Sequence, residues 1–251
     1  MNTKQFPLFM AFLSLILSTL FTLEAQSNDY ELGVYELNRG EFQAAIKEFE
    51  PLVELGYTPA QYQMAVIYQK GYGVTKNANK AIELFTLAAD KYYADALFEL
   101  SLYYTEGRFV KKDLKKAYEL MNKAAIKNLA SAQFNVAVMY EQGTGTKIDY
   151  FKAARWYKAA ANQNFSLAQF NLALLYSEGL GVEKSIDMSY IWNTLSAWNG
   201  SSDAEKSRAI DKRALSPVKI EIAEKEAHRL YLQILSKEQV KTENLQKSSL
   251  L

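Results

Sequence analysis

Residues 139–160 read MYEQGTGTKIDYFKAARWYKAA, and the run Gly143-Thr144-Gly145-Thr146-Lys147 inside them decides between two folds. A glycine-rich run ending in lysine invites comparison with a phosphate-binding loop. Such a loop follows a strand, spaces its glycines as Gly-x4-Gly-Lys-Ser/Thr and opens a helix at the lysine, so that free backbone N–H groups face the phosphate. Here the two glycines stand only two positions apart, and the residues before them follow helical spacing. The run therefore reads as a turn from one helix into another. Gly143 takes the left-handed conformation that ends a helix, Gly145 makes a further turn, and Asp149 caps the helix that follows.

The same turn recurs through the chain. Tyr68, Tyr104, Tyr140 and Tyr176 are spaced by 36, as are Gly71, Gly107, Gly143 and Gly179, and Ala60, Ala96, Ala132 and Ala168. Lys80-Ala81, Lys116-Ala117 and Lys152-Ala153 keep that register, as do Ala88-Ala89, Ala124-Ala125 and Ala160-Ala161. Three or more ladders in one register mark a repeat protein. Within one unit, Ala60, Met64, Ile67 and Tyr68 form one apolar stripe at helical spacing, and Ala81, Leu84, Phe85 and Ala88 a second. A two-helix unit of this size cannot bury its own apolar face, so several must stack. The predicted fold is an all-α, α/α solenoid of helix-turn-helix repeats.

On AQFNVAVMYEQGTGTKIDYFKAARWYKAA and AQFNLALLYSEGLGV the chain resembles the Sel-one-like repeat (SLR) family, relatives of the tetratricopeptide repeats. The resemblance implies repeats at residues 58–93, 94–129, 130–165 and 166–200, the last degenerate in its second half. Two departures stand out. Ala65, Ser101, Ala137 and Ala173 replace the family's mid-helix glycine, and Phe109 takes the place of the second turn glycine in the second repeat, so that turn can match the others only under strain. Tyr30 to Gly56 follows the same two-helix logic and makes residues 29–57 a tetratricopeptide-like first pair. Ser216-Pro217 starts a helix whose Ala223, Ala227, Leu230, Tyr231 and Ile234 give it an apolar face, which makes residues 201–236 a helical cap. Residues 237–251 are polar, lack a stripe and are expected to be a flexible tail.

The start of the chain has the layout of a signal peptide: Lys4, then an uncharged and mostly apolar run from Leu8 to Leu23, then Ala25 as the last residue removed. The expectation is an exported protein with residues 1–25 cleaved, periplasmic or secreted, and with no membrane span in the remainder. Without those residues the chain keeps 28 basic against 27 acidic side chains, so there is no electrostatic footprint for nucleic acid and no nucleic-acid partner is expected. With no cysteine there is no disulfide, thiolate nucleophile or zinc-thiolate site, and no cofactor is expected.

Catalysis has little support in the residues. The single histidine, His228, lies among charged residues on the polar side of the terminal helix, with no triad partner beside it, and the acidic residues show no paired arrangement. Binding has a geometric argument. On the first helix of each repeat one polar place recurs, filled by Gln63, Glu99, Asn135 and Asn171, and one turn along the same side stand Val66, Leu102, Val138 and Leu174. Stacked helices would line these along a shared concave face, where Asn and Gln can both donate to and accept from a peptide backbone. The aromatic ladder Tyr62, Phe98, Phe134 and Phe170 reads as core between repeats. Two Asn-x-Ser triplets, at Asn164 and Asn199, matter only in a cell that glycosylates exported proteins.

The expectation for function is an exported, non-enzymatic scaffold that binds an unidentified protein or peptide, as an adaptor or assembly factor of a bacterial envelope. The alternatives are an enzyme or binder acting on cell-wall peptides or β-lactams, and a secreted factor directed at a host. The first alternative rests on resemblance alone, to cysteine-rich secreted relatives whose disulfides this chain lacks.

Overall fold

The computed structural model describes residues 26–248, so the expected leader at 1–25 lies outside the described residues. Among those described the chain is helical, with no strand. Helix α1 covers residues 26–39, and α2 covers Phe42–Glu54. The repeats follow as α3 (Thr58–Lys70) with α4 (Ala78–Asp90), α5 (Ala94–Glu106) with α6 (Leu114–Ile126), α7 (Ala130–Gln142) with α8 (Tyr150–Ala161), and α9 (Ser166–Glu178) with α10 (Ile186–Trp198). Helices α11 (Ser202–Ala214) and α12 (Pro217–Ser248) close the series. This is the α/α-solenoid class that the 36-residue period predicts. Two compact units are distinguished, one ending at Leu100 and one beginning at Ser101. In the first, α3 packs on α2 and α4; in the second, α7 to α10 each pack on the helix before, and α10 also meets α11 and α12.

Each hairpin is made by the same local chemistry. The first helix ends where Gly71, Gly143 or Gly179 turns left-handed, at φ 76, 72 and 78°, and its N–H bonds back to Ile67, Met139 or Leu175. The second helix starts on Asn77, Asp113, Asp149 or Ser185, whose side-chain oxygen accepts from the N–H three residues on, at 2.9–3.2 Å. The same four residues donate their backbone N–H to the carbonyls of Tyr68, Tyr104, Tyr140 and Tyr176, which ties the two ends together. Cap and glycine thus satisfy the groups that helix ends leave open.

The second turn glycine serves contact between repeats. A Cβ on Gly145 would lie 2.0 Å from the Leu114 carbonyl oxygen, and one on Gly181 2.2 Å from the Tyr150 carbonyl. The turn of one repeat therefore rests on the backbone that opens the second helix of the repeat before it. Phe109 holds this place in the second repeat. Its turn does match the others, with the strain expected of it: Phe109 sits at φ 64°, where a non-glycine residue costs about 1–2 kcal/mol.

Small residues allow helices to approach closely. Ala60, Ala96, Ala132 and Ala168 on the first helices and Ala81, Ala117 and Ala153 on the second are fully buried, as are Ala65, Ser101, Ala137 and Ala173 at mid-helix. Ser101 satisfies its hydroxyl by donating to the Ala117 carbonyl at 2.7 Å. The fourth repeat departs from this pattern, because Ser189 and Asn193 stand where the third has Ala153 and Tyr157. Both donate to the buried Asp211 of α11, at 2.8 and 2.9 Å, while the Asn193 carboxamide oxygen is buried without a partner.

Helix α12 covers α10 as its apolar stripe predicts. Ala223 and Ala227 join Tyr190 and Ile191 in one core, and the Tyr231 ring meets Trp198 at 5.5 Å. One difference from the sequence reading lies beyond it: the helix continues to Ser248, through the segment expected as a flexible tail from Lys237. The segment holds no glycine or proline, and its Lys, Glu, Gln and Leu side chains are strong helix formers. No described helix is long and apolar enough to cross a membrane.

Candidate binding face

The recurring polar column of the first helices is half-buried at all four places, and much of its hydrogen-bonding capacity is used inside the protein. In the first unit, Gln63 donates to the Tyr30 hydroxyl of α1 at 3.4 Å, and Glu99 accepts from Gln69 at 3.0 Å. Val66 is half-buried beside them. In the second unit, the Asn135 amide donates to the Ser131 carbonyl one turn back in its own helix, at 2.7 Å. The Asn171 amide donates to the Tyr157 hydroxyl at 3.0 Å, and that hydroxyl donates in turn to Glu141 at 2.5 Å. What the two asparagines keep for a ligand is the second amide N–H and the carboxamide oxygen, a donor and an acceptor for a peptide backbone. Leu102 and Val138 are half-buried and Leu174 is 36% exposed, so each retains apolar surface.

Tyr157, Glu141 and Gln69 are the residues that sequence reasoning missed here. Gln69 and Glu141 occupy equivalent places 72 residues apart, a second polar column six residues beyond the first. Each ties to the first column of the next repeat: Gln69 reaches Glu99 directly, and Glu141 reaches Asn171 through Tyr157. Burial, and then the bond to Glu141, push the Tyr157 hydroxyl above the ordinary tyrosine range, so it stays a neutral donor and acceptor.

A third polar column holds repeats together at the other end of the helices. Gln133 and Gln169 are buried and donate to the carbonyls of Ala125 and Ala161. Their oxygens accept from Gln163 at 2.8 Å and Asn199 at 3.0 Å. Asn199 also donates to Asn164 at 2.7 Å, so both asparagines of the Asn-x-Ser triplets belong to this column. Tyr92, Asn128 and Asn164 stand left-handed, at φ 59, 67 and 61°, in register with Gly56 and Gly200. That ladder is hidden in the sequence because glycine, asparagine and, under strain, Tyr92 share the conformation and not the letter.

At Tyr62 and Phe134 the aromatic ladder makes its ring contacts inside one repeat, not between repeats as the sequence suggests, because each ring meets the second helix and the closing turn of its own hairpin. Tyr62 meets Phe85 and Tyr93 at 5.8 and 5.2 Å, and Phe134 meets Tyr157 and Phe165 at 5.7 and 5.2 Å. His228 is exposed, with its ring edge-on to Trp198 at 6.4 Å. Among the described residues no group of three His, Cys, Asp or Glu side chains is placed to hold a metal ion.

Solved structures share this geometry. A protective antigen of uropathogenic Escherichia coli strains, which displays an SLR fold, is 30% identical with a TM-score of 0.73; the match covers 86% of this chain and 48% of the antigen, so the chain spans about half of that protein. A Sel1 repeat protein from Oxalobacter formigenes is 25% identical with a TM-score of 0.71, over 82% of this chain and 84% of that one. No curated protein matches by sequence. The Sel1 repeat itself matches four times, at residues 58–93, 94–129, 130–165 and 166–197, on the hairpins described above. Sel1 repeats are generally scaffolds for protein interaction, and by these four copies the chain belongs to the Sel1 repeat family.

Proposed function

We propose that this protein is an exported, non-enzymatic adaptor or assembly factor of a bacterial envelope, which holds an extended segment of a partner protein against the first helices of its repeats. The observation that carries the reading is the relay Glu141–Tyr157–Asn171, which fixes one carboxamide of the face from a buried hydroxyl. A binding group held by packed neighbours loses less freedom when a ligand arrives. In the second unit the face comprises Leu102, Asn135, Val138, Asn171 and Leu174; Gln63, Val66 and Glu99 form the corresponding stretch of the first. Export is supported by the basic, apolar and small-residue order of residues 1–25.

Magnitudes require the apolar column to take part. Two hydrogen bonds contribute about 0.5–1.5 kcal/mol each, and association costs at least about 4 kcal/mol. Val138 and Leu174 stand one turn from the asparagines and supply that contact. Crosslinking in the native cell, followed by mass spectrometry, identifies the partner and the segment joined to the protein. A peptide of that segment is then titrated against the full chain and against Asn135→Ala with Asn171→Ala. The double variant is expected to bind about tenfold or more weakly; unchanged affinity removes the proposed face.

A further inference from the structure

A net charge near zero conceals an uneven distribution. Residues 26–100 carry eleven Asp and Glu against six Lys and Arg, whereas Glu106 to Lys158 carry eleven Lys and Arg against five Asp and Glu. All eleven cations are exposed. Most gather at one edge of the second unit, where the α5–α6 turn and the start of α6 present Arg108, Lys111, Lys112 and Lys115, and the α7–α8 turn and the start of α8 present Lys147 and Lys152. These two turns are neighbours: Gly145 abuts the Leu114 backbone, and the Tyr118 hydroxyl lies 2.6 Å from that of Tyr140. The opposing charges at this edge are few. Asp113 and Asp149 cap their helices, Asp149 also pairs with Lys152 at 3.1 Å, and Glu106 pairs with Arg108.

Three large apolar side chains stand among these cations, with Phe109 68%, Ile148 58% and Phe151 61% exposed. Ile148 lies against Gly143 as Lys76, Lys112 and Lys184 lie against the glycines of their own turns, and Arg155 stands over the Phe151 ring at 5.9 Å, but neither contact calls for an apolar side chain at an exposed place. Where Ile148 stands, the other repeats have Lys76, Lys112 and Lys184; where Phe151 stands they have Asn79, Lys115 and Asp187; where Phe109 stands they have glycine. Phe109 moreover keeps a left-handed backbone that glycine would adopt without strain. Stability does not account for a strained phenylalanine held out in solvent, and strain of this kind points to a use.

We propose that this edge seats the protein on the surface of an anionic lipid bilayer, with Phe109, Ile148 and Phe151 entering the interfacial layer and the surrounding lysines and arginines meeting the headgroups. Amphipathic surfaces bind bilayers through this combination of apolar insertion and attraction to anionic lipid. Nine of the eleven cations are lysines, whose flexible point charges suit a diffuse layer of headgroups better than a fixed carboxylate, which favours the arginine fork. A nucleic acid would engage the cations and leave Ile148 without a partner.

The test is co-sedimentation of the full chain with vesicles of phosphatidylcholine alone and of phosphatidylcholine with phosphatidylglycerol. Binding is expected on the second and not the first, and is expected to weaken as salt screens the headgroups. Phe109→Gly relieves the backbone, so it folds at least as well as the parent, and it is expected to lose about tenfold in vesicle affinity. Phe151→Ser and the pair Lys111→Gln with Lys112→Gln are expected to lose as much, with unchanged helical circular dichroism. Equal binding to both vesicles, no binding to either, or apolar variants that bind like the parent would each overturn the proposal. So would full displacement from vesicles by duplex DNA with no effect of Phe109→Gly, which would mark a general polyanion site.

Discussion

Replacing Gly145 by alanine separates the two tasks of a turn glycine, because the same change at Gly200 performs only one of them. Both residues are left-handed, at φ 72 and 88°, so each substitution places an alanine where L-residues are strained, at about 1–2 kcal/mol, less about 0.4–1 kcal/mol regained by stiffening the unfolded chain. At Gly200 nothing lies within 4 Å of the new methyl, and the cost stops there. At Gly145 the methyl would sit 2.0 Å from the Leu114 carbonyl oxygen, 2.7 Å from its carbon and 3.0 Å from Tyr118 Cβ. Two of those neighbours are backbone, which cannot swing away as a side chain does, so the turn and the start of α6 must part. Forced overpacking of this kind adds about 1–3 kcal/mol. Gly145→Ala is therefore expected to lose about 2–4 kcal/mol and Gly200→Ala about 1 kcal/mol. Urea unfolding followed by circular dichroism measures both, with an unchanged m-value as the sign that the same cooperative unit is being read. Equal losses at the two sites would refute the claim that the second glycine exists for contact between repeats.

Three further outcomes follow from single contacts. Tyr157→Phe removes the hydroxyl that links Glu141 to Asn171 and should lower stability by about 1 kcal/mol in the same urea assay, with the fold retained. Asn199→Ala leaves the buried Gln169 oxygen without its donor and should cost about 1–3 kcal/mol, so a variant as stable as the parent would deny the polar column a structural role. The Asp211 carboxyl is held above the usual carboxylate range by burial, against bonds from Ser189 and Asn193 that lower it. The folded state then binds this proton more tightly than the unfolded one, so the contribution of Asp211 is greatest below the unfolded value near 3.8 and declines as pH rises through the folded value. Asp211→Asn, which does not ionise, should gain on the parent as pH is raised through that window; a stability difference independent of pH would contradict it.

The hairpins, their caps and the 36-residue register were legible in the sequence because each is decided within a few residues. A glycine that must turn left-handed and alanines that must be small are the same requirement met four times, so they leave the same letters, and the cap that must accept from the next turn is Asn, Asp, Asp and Ser in order, each a short side chain with an acceptor oxygen. Phe109 was legible for the same reason, as the one letter that broke the ladder. The four polar residues of the expected column do lie on the first helices, but whether their amides are free was not readable there. That depends on Tyr157, which stands 14 residues before Asn171, and on Glu141, which stands 30 before it.

Local periodicity thus determined the all-α repeat architecture and the surface each first helix presents. Tertiary structure alone decided which of those polar groups bind their own neighbours, why the second glycine is needed, and which turns bring lysines and exposed aromatic rings to one edge. The physical reason is range: helix ends and apolar stripes are settled over four or five residues, whereas a hydrogen bond between side chains 30 positions apart, or a methyl-sized gap against another repeat's carbonyl, exists only once the repeats are packed.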